Sequence, residues 1–253
     1  MKGLILLFTF MTRLPIPGNV KFDSKALGKS MKWFPVVGMV LGGILWGAYS
    51  LLAPIIPSPL IMAIILVTLD VIMTGGLHLD GLADTFDGIF SYRSKQKMLE
   101  IMKDSRLGTN GALVLILYFI FKIALLMEAS NLLGINQGVI MAMVPVISRL
   151  NSVVNCAFAP YARATGMGKT FVDNTGFGDL IISIVITVAY LVGICKYFNI
   201  VAMGPILILP VVIVLGIYFA RLMTRKIGGI TGDTLGAVVE LTSVITLFLM
   251  YII

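Results

Sequence analysis

Charged residues are scarce in this sequence, and so are histidine and cysteine. Asp, Glu, Lys and Arg make up 12% of its 253 residues, about half of the roughly 25% typical of soluble domains. This scarcity excludes an ordinary soluble domain. The two cysteines, Cys156 and Cys195, stand in apolar surroundings without metal-ligand spacing, so we expect them to be plain packing residues.

Long apolar runs take the place of charge. Apolar residues form 58% of the chain, and the mean hydropathy is +1.03. A helix of about 18 uncharged residues can cross the roughly 30 Å hydrocarbon layer of a membrane. We therefore predict an all-α polytopic transmembrane helix bundle of about seven spans, forming a single membrane domain over residues 1–253. The predicted spans are 33–53, 60–74, 111–127, 138–158, 180–197, 201–220 and 235–253.

Two segments in the first third of the chain interrupt this pattern of long apolar runs. Residues 1–11 resemble a signal peptide but have no small-residue cleavage site, so a short interfacial or re-entrant helix is expected. The second span is short and ends in Thr74-Gly75-Gly76. Interrupted backbone at membrane depth is tolerated only where it is buried in protein or lines a cavity.

The basic residues predict the orientation of the chain. Because basic loops stay in the cytoplasm, we expect a multi-pass plasma-membrane (cell inner membrane) protein with a cytoplasmic N-terminus. The net charge of +7 then follows from topology and requires no nucleic-acid partner. Sixteen of the 19 basic residues lie before the first span or after the second, fourth and sixth: Lys2, Arg13, Lys21, Lys25, Lys29, Lys32; Arg93, Lys95, Lys97, Lys103, Arg106; Arg163, Lys169; Arg221, Arg225, Lys226.

The segment GGLHLDGLADTFDG, residues 75–88, carries the most informative chemistry. As a helix it places Asp80, Asp84 and Asp87 at i, i+4 and i+7, on one face. Stacked carboxylates repel one another, so a divalent cation such as Mg²⁺, which prefers oxygen ligands, is expected between them. The alternative is a solvated helix start, where acids favour the helix dipole. The glycines of this segment suit close approach of the backbone to a ligand.

The only histidine, His78, lies two residues before the acidic face. It is a candidate for proton transfer or phosphate contact, and the alternative is a simple hydrogen-bonded histidine near the membrane surface. Asp84 is the second candidate catalytic residue. Three further ionisable residues lie in or near the spans, where burial is costly unless they face a partner or cavity; we expect an interior position for Asp70, Arg149 and Glu240.

Two later segments add candidate ligands. In KDSRLGTNG, Asp104 could extend the metal shell, while Lys103 and Arg106 could bind phosphate oxygens; the alternative is a basic cluster that only marks topology. In GGITGDTLGA, residues 228–237, Asp233 and Thr234 are candidate substrate-binding residues, and the alternative is a loop in which Asp233 caps the last helix.

Taken in order, FMTRLPIP, GGLHLDGLADTFDG, MKDSRLGTNGAL and TGDTLGAVVEL resemble the cobalamin synthase family, the adenosylcobinamide-GDP ribazoletransferases. The resemblance covers essentially the whole chain. It implies a membrane enzyme that depends on Mg²⁺ and joins adenosylcobinamide-GDP to α-ribazole or α-ribazole 5′-phosphate, with release of GMP. It also implies an active site facing the cytoplasm and a substrate-binding role for Arg13 in the opening motif.

Two other functions fit parts of this pattern. A CDP-alcohol phosphotransferase also uses aspartates and Mg²⁺, but its D-G-x-x-A-R motif requires an arginine that this acidic segment lacks. In a divalent-cation transporter the carboxylates would form a conduction site, and such sites typically lie near the bilayer midplane. Here the acidic segment instead follows the end of a span and leads into a strongly basic loop.

Overall fold

The computed structural model describes residues 2–18, 20–201 and 203–252. A 3₁₀ turn at Met31–Trp33 precedes α3, and the described part of the chain is otherwise helices joined by short connections. The helices are α1 (Lys2–Met11), α2 (Ser24–Gly28), α3 (Phe34–Leu52), α4 (Pro59–Thr74), α5 (Leu77–Ile89), α6 (Lys95–Ile101), α7 (Thr109–Leu133), α8 (Gln137–Phe158), α9 (Met167–Asp173), α10 (Phe177–Tyr197), α11 (Met203–Ile227) and α12 (Gly232–Ile252).

The prediction of an all-helical membrane protein is confirmed. Within the described residues, six helical segments are long and apolar enough to cross a membrane, and each overlaps one of the seven predicted spans. The predicted span 60–74 is α4, whose 16 residues rise only about 24 Å. Residues 2–11 form a helix, and Leu6, Leu7, Phe8 and Met11 on it are buried.

The sixth predicted span, 201–220, ends too early. Helix α11 continues to Ile227, so Arg221, Arg225 and Lys226 lie in the helix and not in the connection after it. Basic side chains in a last turn interact favourably with the helix dipole and can extend toward water. Gly228 and Gly229, which follow the helix, both have positive φ.

Helix α8 is the centre of the bundle, and every residue from Gln137 to Cys156 on it is buried. Helix α3 approaches it closely at Gly38 and Gly42, where a Cβ atom would lie 2.5 Å from the carbonyl oxygens of Pro145 and Ala142, respectively. Small residues that allow such close backbone contact are typical of helix packing in membranes.

Asparagine side chains attach α8 to two other helices. The Asn151 amide donates to the Val212 carbonyl of α11 at 3.0 Å and to the Thr242 hydroxyl of α12 at 2.9 Å. The Asn155 amide donates to the Gly216 carbonyl of α11 at 3.1 Å. Each such bond is worth about 0.6 kcal/mol in a membrane bundle, so their main effect is to fix the helix positions.

The three ionisable residues expected in the interior are all buried: Asp70, Arg149 and Glu240. Lys122 on α7 donates to Asp70 on α4 at 2.9 Å and lies 3.7 Å from Glu240 on α12. Tyr118 donates to the same Glu240. The prediction of an interior position is confirmed for all three residues. The pairs of Lys122 with Asp70 and Glu240 join α4, α7 and α12 beneath the acidic helix.

Two glycines produce the bend that positions the acidic helix. Gly75 and Gly76 have φ of +63° and +70°, a left-handed conformation that glycine adopts without steric cost. They end α4 and turn the chain by 89° into α5. We treat α4 as the membrane-embedded part of this pair and α5 as a helix lying across the end of the bundle, outside the spans.

Candidate active site

The acidic segment forms one helix, as predicted. Asp80, Asp84 and Asp87 all lie on α5. Its apolar face packs through Leu79 and Leu82 against a small cluster that includes residues of α7 and α12. Opposing apolar contacts of this kind fix the rotation of a helix about its own axis.

The glycines of α5 allow close approach of other parts of the chain, and Gly81 also lines the cavity described below. A Cβ atom at Gly81 would lie 2.6 Å from the Asp233 carbonyl oxygen, and one at Gly88 would lie 2.4 Å from the Met102 side chain. These glycines therefore admit protein neighbours. Gly81 in particular lets α5 contact the first turn of α12, which brings Asp233 to the acidic helix.

Asp84 is half-buried among like charges. Burial raises the pKa of its carboxyl group to about 7, helped by repulsion from Asp80, Asp233 and Asp87, while Arg163 opposes the shift. A carboxylate in these surroundings favours any added positive charge, whether a proton or a cation. Asp84 is therefore the member of the acidic face most in need of a cation.

Asp87 has a different environment on the same helix. Its two carboxylate oxygens accept hydrogen bonds from the backbone N–H groups of Gly108, at 2.7 Å, and Gly111, at 2.8 Å. These groups lie at the N-terminus of α7, where N–H groups have no partner within the helix. Asp87 thus anchors the second motif to the acidic helix, using both of the oxygens that were predicted to bind a metal.

The charged residues of the second motif point elsewhere. Arg106 is largely exposed and binds Asp104 at 2.6 Å. Hydrogen bonds from Arg106 lower the pKa of the Asp104 carboxyl group to about 2. In the structure as described, the predicted metal ligand Asp104 and the predicted phosphate ligand Arg106 bind each other, and Lys103 is exposed.

The third motif closes the start of α12 with threonines. The Thr231 hydroxyl accepts from the backbone N–H of Thr234 at 3.2 Å, and the Thr234 hydroxyl accepts from that of Thr231 at 2.8 Å. This reciprocal arrangement is a capping box. Thr231, and not Asp233, is the capping residue, and Thr234, a predicted substrate ligand, is buried within the cap.

Asp233 accepts a hydrogen bond from the capping Thr231 hydroxyl at 3.2 Å and also pairs with a residue distant in sequence. Residues 160–162 and 230 pair in parallel through two backbone hydrogen bonds of 2.8 Å. The pairing brings Arg163 to Asp233, and the guanidinium donates to Asp233 Oδ2 at 2.8 Å. Arg163 was interpreted from sequence only as a topological charge, so this contact was missed.

A cavity of about 260 Å³ opens beside these residues. Its polar lining comprises His78, Asp80, Ser152, Tyr161, Arg163 and Asp233, and its apolar lining comes largely from α1, the turn before α3, the first residue of α3, and α9. Among the sequence candidates, His78, Asp80 and Asp233 line it. Those that do not are Arg13, Asp84, Asp87, Lys103, Asp104, Arg106 and Thr234.

His78 is buried at the wall of this cavity. Nδ1 lies 4.0 Å from Glu240 Oε1, and neither ring nitrogen has a hydrogen-bond partner among the described residues. No described protein atom therefore accounts for the ring nitrogens, and the role of His78 stays a prediction. Arg13 lies outside the cavity, and its side chain covers Gly75 at the α4–α5 bend.

The donor set fits a magnesium ion that arrives with substrate. Over the described residues, no three His, Cys, Asp or Glu side chains converge as a ready-made metal site. Mg²⁺ usually keeps several waters and takes only one or two carboxylates together with substrate phosphates. Asp80 and Asp84, which repel each other on one face of α5, match that smaller requirement.

The fold and the site together define a polytopic membrane protein with an acidic helix beside a small cavity at one end of a helix bundle. The family model described as "Cobalamin-5-phosphate synthase" matches residues 3–251. The chain therefore belongs to this enzyme family, which confirms the resemblance inferred from its motifs.

Similar proteins span the whole chain. A protein from Fusobacterium nucleatum is 48% identical over 100% of this chain and 98% of its own length. One from Caldanaerobacter subterraneus is 39% identical over 97% of this chain and 96% of its own, and one from Alkaliphilus oremlandii is 39% identical over 99% and 96%. Each is named adenosylcobinamide-GDP ribazoletransferase. No solved structure matches the chain.

Proposed function

We propose that this protein transfers the cobinamide phosphate of adenosylcobinamide-GDP to α-ribazole or α-ribazole 5′-phosphate and releases GMP. The observation that carries the proposal is the meeting of α5 and α12, where Asp80, Asp84 and Asp233 lie close enough to raise the pKa of Asp84. Concentrated negative charge of this kind suits a reaction on a pyrophosphate that brings divalent cations with it.

The chemistry is a phosphoryl transfer. A ribose hydroxyl oxygen attacks the phosphorus on the cobinamide side of the pyrophosphate, the anhydride P–O bond breaks, and GMP leaves with the bonding electrons. Such reactions depend mainly on positioning and on neutralising negative charge. The hydroxyl proton passes to a protein group, for which His78 at the cavity wall and Asp84 beside it are the candidates.

Asp80 and Asp84 are the proposed ligands of Mg²⁺, and Asp233 lies next to them. When bound, the ion would neutralise charge on the pyrophosphate and on the leaving GMP. Lys103, Arg106 and Arg13 are exposed near the α5 and α7 ends, where they can contact phosphates of a large substrate that extends beyond the cavity. Asp87 and Asp104 have only a supporting role in this proposal. Asp87 already accepts hydrogen bonds from Gly108 and Gly111, and Asp104 pairs with Arg106.

The proposed orientation puts the active site in the cytoplasm. The basic residues outside the membrane-spanning helices lie before α3 or in and beside α5, α6 and α9, and basic segments remain on the cytoplasmic side. A nucleotide-activated substrate would be available there. The plasma membrane is the corresponding location.

The direct test is release of GMP from adenosylcobinamide-GDP by the purified protein, with α-ribazole or its 5′-phosphate and Mg²⁺ present. Asp84→Asn should abolish turnover while membrane insertion is retained. Glu100→Gln is a matched control, because Glu100 is an exposed acid on α6 that pairs with Lys97. Full activity of the Asp84 variant would overturn the assignment.

Metal dependence gives a second test of the same proposal. Because two carboxylates without substrate phosphates make a weak magnesium site, Mg²⁺ binding should be detectable only when the pyrophosphate substrate is present. Isothermal titration with and without adenosylcobinamide-GDP would measure this. Tight binding of Mg²⁺ to the protein alone, together with metal flux into vesicles, would instead support a cation transporter.

A further inference from the structure

The cavity beside α5 has an apolar part that the transfer of a phosphate does not require. Phe10 of α1, Met31, Phe34 of α3 and Phe171 of α9 line it. Phe10 and Phe171 pack with ring centroids 5.9 Å apart, and Phe34 lies 6.0 Å from the His78 ring. Aromatic and apolar linings of this type bind flat apolar ligands, with a few polar groups fixing their orientation.

The size of the cavity limits what can occupy it. Its volume of about 260 Å³ lies just below the range of about 300 to 1,000 Å³ for small-ligand sites. A nucleoside-sized molecule is of this order, whereas a corrin ring carrying adenosine and GDP is several times larger. Of the two proposed substrates, only α-ribazole, a ribose attached to an apolar benzimidazole, matches both the size and the lining.

One basic side chain stands at the polar end of this cavity. Of the lysines and arginines in the described ranges, Arg163 is the one that lines it. Its guanidinium is mostly buried and donates to Asp233 at 2.8 Å, and its Nε atom is buried without a hydrogen-bond partner among the described residues. A guanidinium has five N–H donors, so donors remain for a second anion.

The fork geometry of arginine suits a phosphate group. Arg163 also lies beside the Tyr161 hydroxyl, where burial raises the pKa of the tyrosine and the positive charge of Arg163 partly opposes that shift. Both residues belong to the segment held in place by its pairing with residue 230. The guanidinium is therefore positioned by the backbone before any ligand arrives.

We propose that this cavity is the acceptor subsite, in which Phe10, Phe34 and Phe171 hold the benzimidazole of α-ribazole and Arg163 binds the 5′-phosphate of its phosphorylated form. Arg163 is then the residue that lets the enzyme distinguish α-ribazole 5′-phosphate from α-ribazole. The proposal rests on the function proposed above. The donor substrate would reach the acids of α5 from outside the cavity.

The test is a steady-state comparison of the two acceptors at saturating adenosylcobinamide-GDP. Removal of a charge-assisted phosphate contact costs about 1.5 to 3 kcal/mol, so Arg163→Gln should raise KM for α-ribazole 5′-phosphate about 10- to 150-fold. KM for α-ribazole should change less than about threefold. Arg163→Lys, which keeps the charge but loses the fork, should give an intermediate KM.

Two further variants separate a binding role from a structural one. Phe171→Leu should raise KM for both acceptors by similar factors, because both contain the benzimidazole. Lys169→Ala, which removes an exposed lysine of α9 paired with Asp173, should change neither. If Arg163→Gln raises KM for both acceptors equally, or changes only KM for adenosylcobinamide-GDP, the acceptor assignment is wrong.

The outcomes also distinguish this proposal from the proposed function. If the unmodified protein releases GMP but Arg163→Gln changes KM for the two acceptors by the same factor, only the acceptor subsite is overturned. If the unmodified protein releases no GMP with either acceptor, the function itself is wrong. Loss of folding in Arg163→Gln, visible as a lowered melting temperature, would leave Arg163→Lys and Phe171→Leu to decide.

Discussion

Asp84 and Asp87 lie three positions apart on one helix, yet their surroundings differ. Asp87 accepts two backbone hydrogen bonds, whereas burial and three neighbouring carboxylates raise the pKa of Asp84 to about 7. The Asp87 carboxylate stabilises the fold by joining α5 to the start of α7. The Asp84 carboxylate lowers the stability of the fold when it is charged, and this is a reason to expect a cation beside it.

The pH dependence of stability should reveal the cost at Asp84. A carboxyl group whose pKa is raised on folding destabilises the folded state progressively as pH rises from about 4, its unfolded value, to about 7, and then by a constant amount. In EDTA, Asp84→Asn should therefore melt higher than the parent protein at pH 8, with a difference that shrinks toward pH 4. If Asp84→Asn and the parent protein melt at the same temperature at pH 8 as well as near pH 4, this expectation is wrong.

At Asp87, in contrast, a substitution should lower the stability of the folded protein. Asp87→Ala removes two charge-assisted hydrogen bonds and should destabilise the protein by about 1 to 3 kcal/mol. Asp87→Asn retains one acceptor oxygen and should lose less. Thermal unfolding in detergent measures both, with Asp173→Ala, an exposed residue paired with Lys169, as the control expected to change little. If Asp87→Ala loses only activity, its role is in the site and not in the fold.

At the scale of elements, the α4–α5 bend decides where the acidic face lies. The bend depends on two consecutive glycines with positive φ, and Gly75 is additionally covered by the Arg13 side chain. Side chains other than glycine reach this backbone region at a cost of about 1 to 2 kcal/mol. A helix that turned differently would separate Asp80 and Asp84 from Asp233.

Substitutions at the bend should therefore be more harmful than similar ones nearby. Gly76→Ala should lower stability by about 1 kcal/mol from backbone strain alone, and Gly75→Ala should lower it further because Arg13 must move. Gly43→Ala on α3, where an added Cβ meets open space, is the matched control and should cause no loss. Thermal unfolding would measure stability, and the GMP-release assay would measure activity. A Gly75→Ala variant with unchanged melting temperature and activity would show that the bend needs no glycine.

At the scale of the whole molecule, the bundle has its acids and most of its basic loops at the same end. We predict that Ser105→Cys and Thr165→Cys react with a membrane-impermeant maleimide only from the cytoplasmic side, and that Pro54→Cys reacts only from the other. The native Cys156 and Cys195 are buried, so the parent chain provides an unlabelled background. Labelling of all three positions from one side would contradict the proposed topology.

Much of the architecture could be predicted because it depends on local sequence. Apolar runs long enough for a bilayer identified the spans, and the i, i+4, i+7 spacing identified the acidic helix. The end of α11 was missed because its basic last turns resemble a loop in a hydropathy pattern. Local sequence also indicated the three motifs and the family, since both depend on the order of residues along the chain.

The tertiary structure decided which of the motif residues form the site. Folding surrounds Asp84 with other carboxylates and brings backbone amides of α7 to Asp87. Asp104, by contrast, pairs with Arg106 only two positions along the chain. Arg163 and Asp233 are separated by 70 positions and meet because the segment around residue 161 pairs with residue 230. Hydrophobicity and helical spacing act along the chain, whereas burial and charge pairing act through space, so only the folded bundle determines the latter.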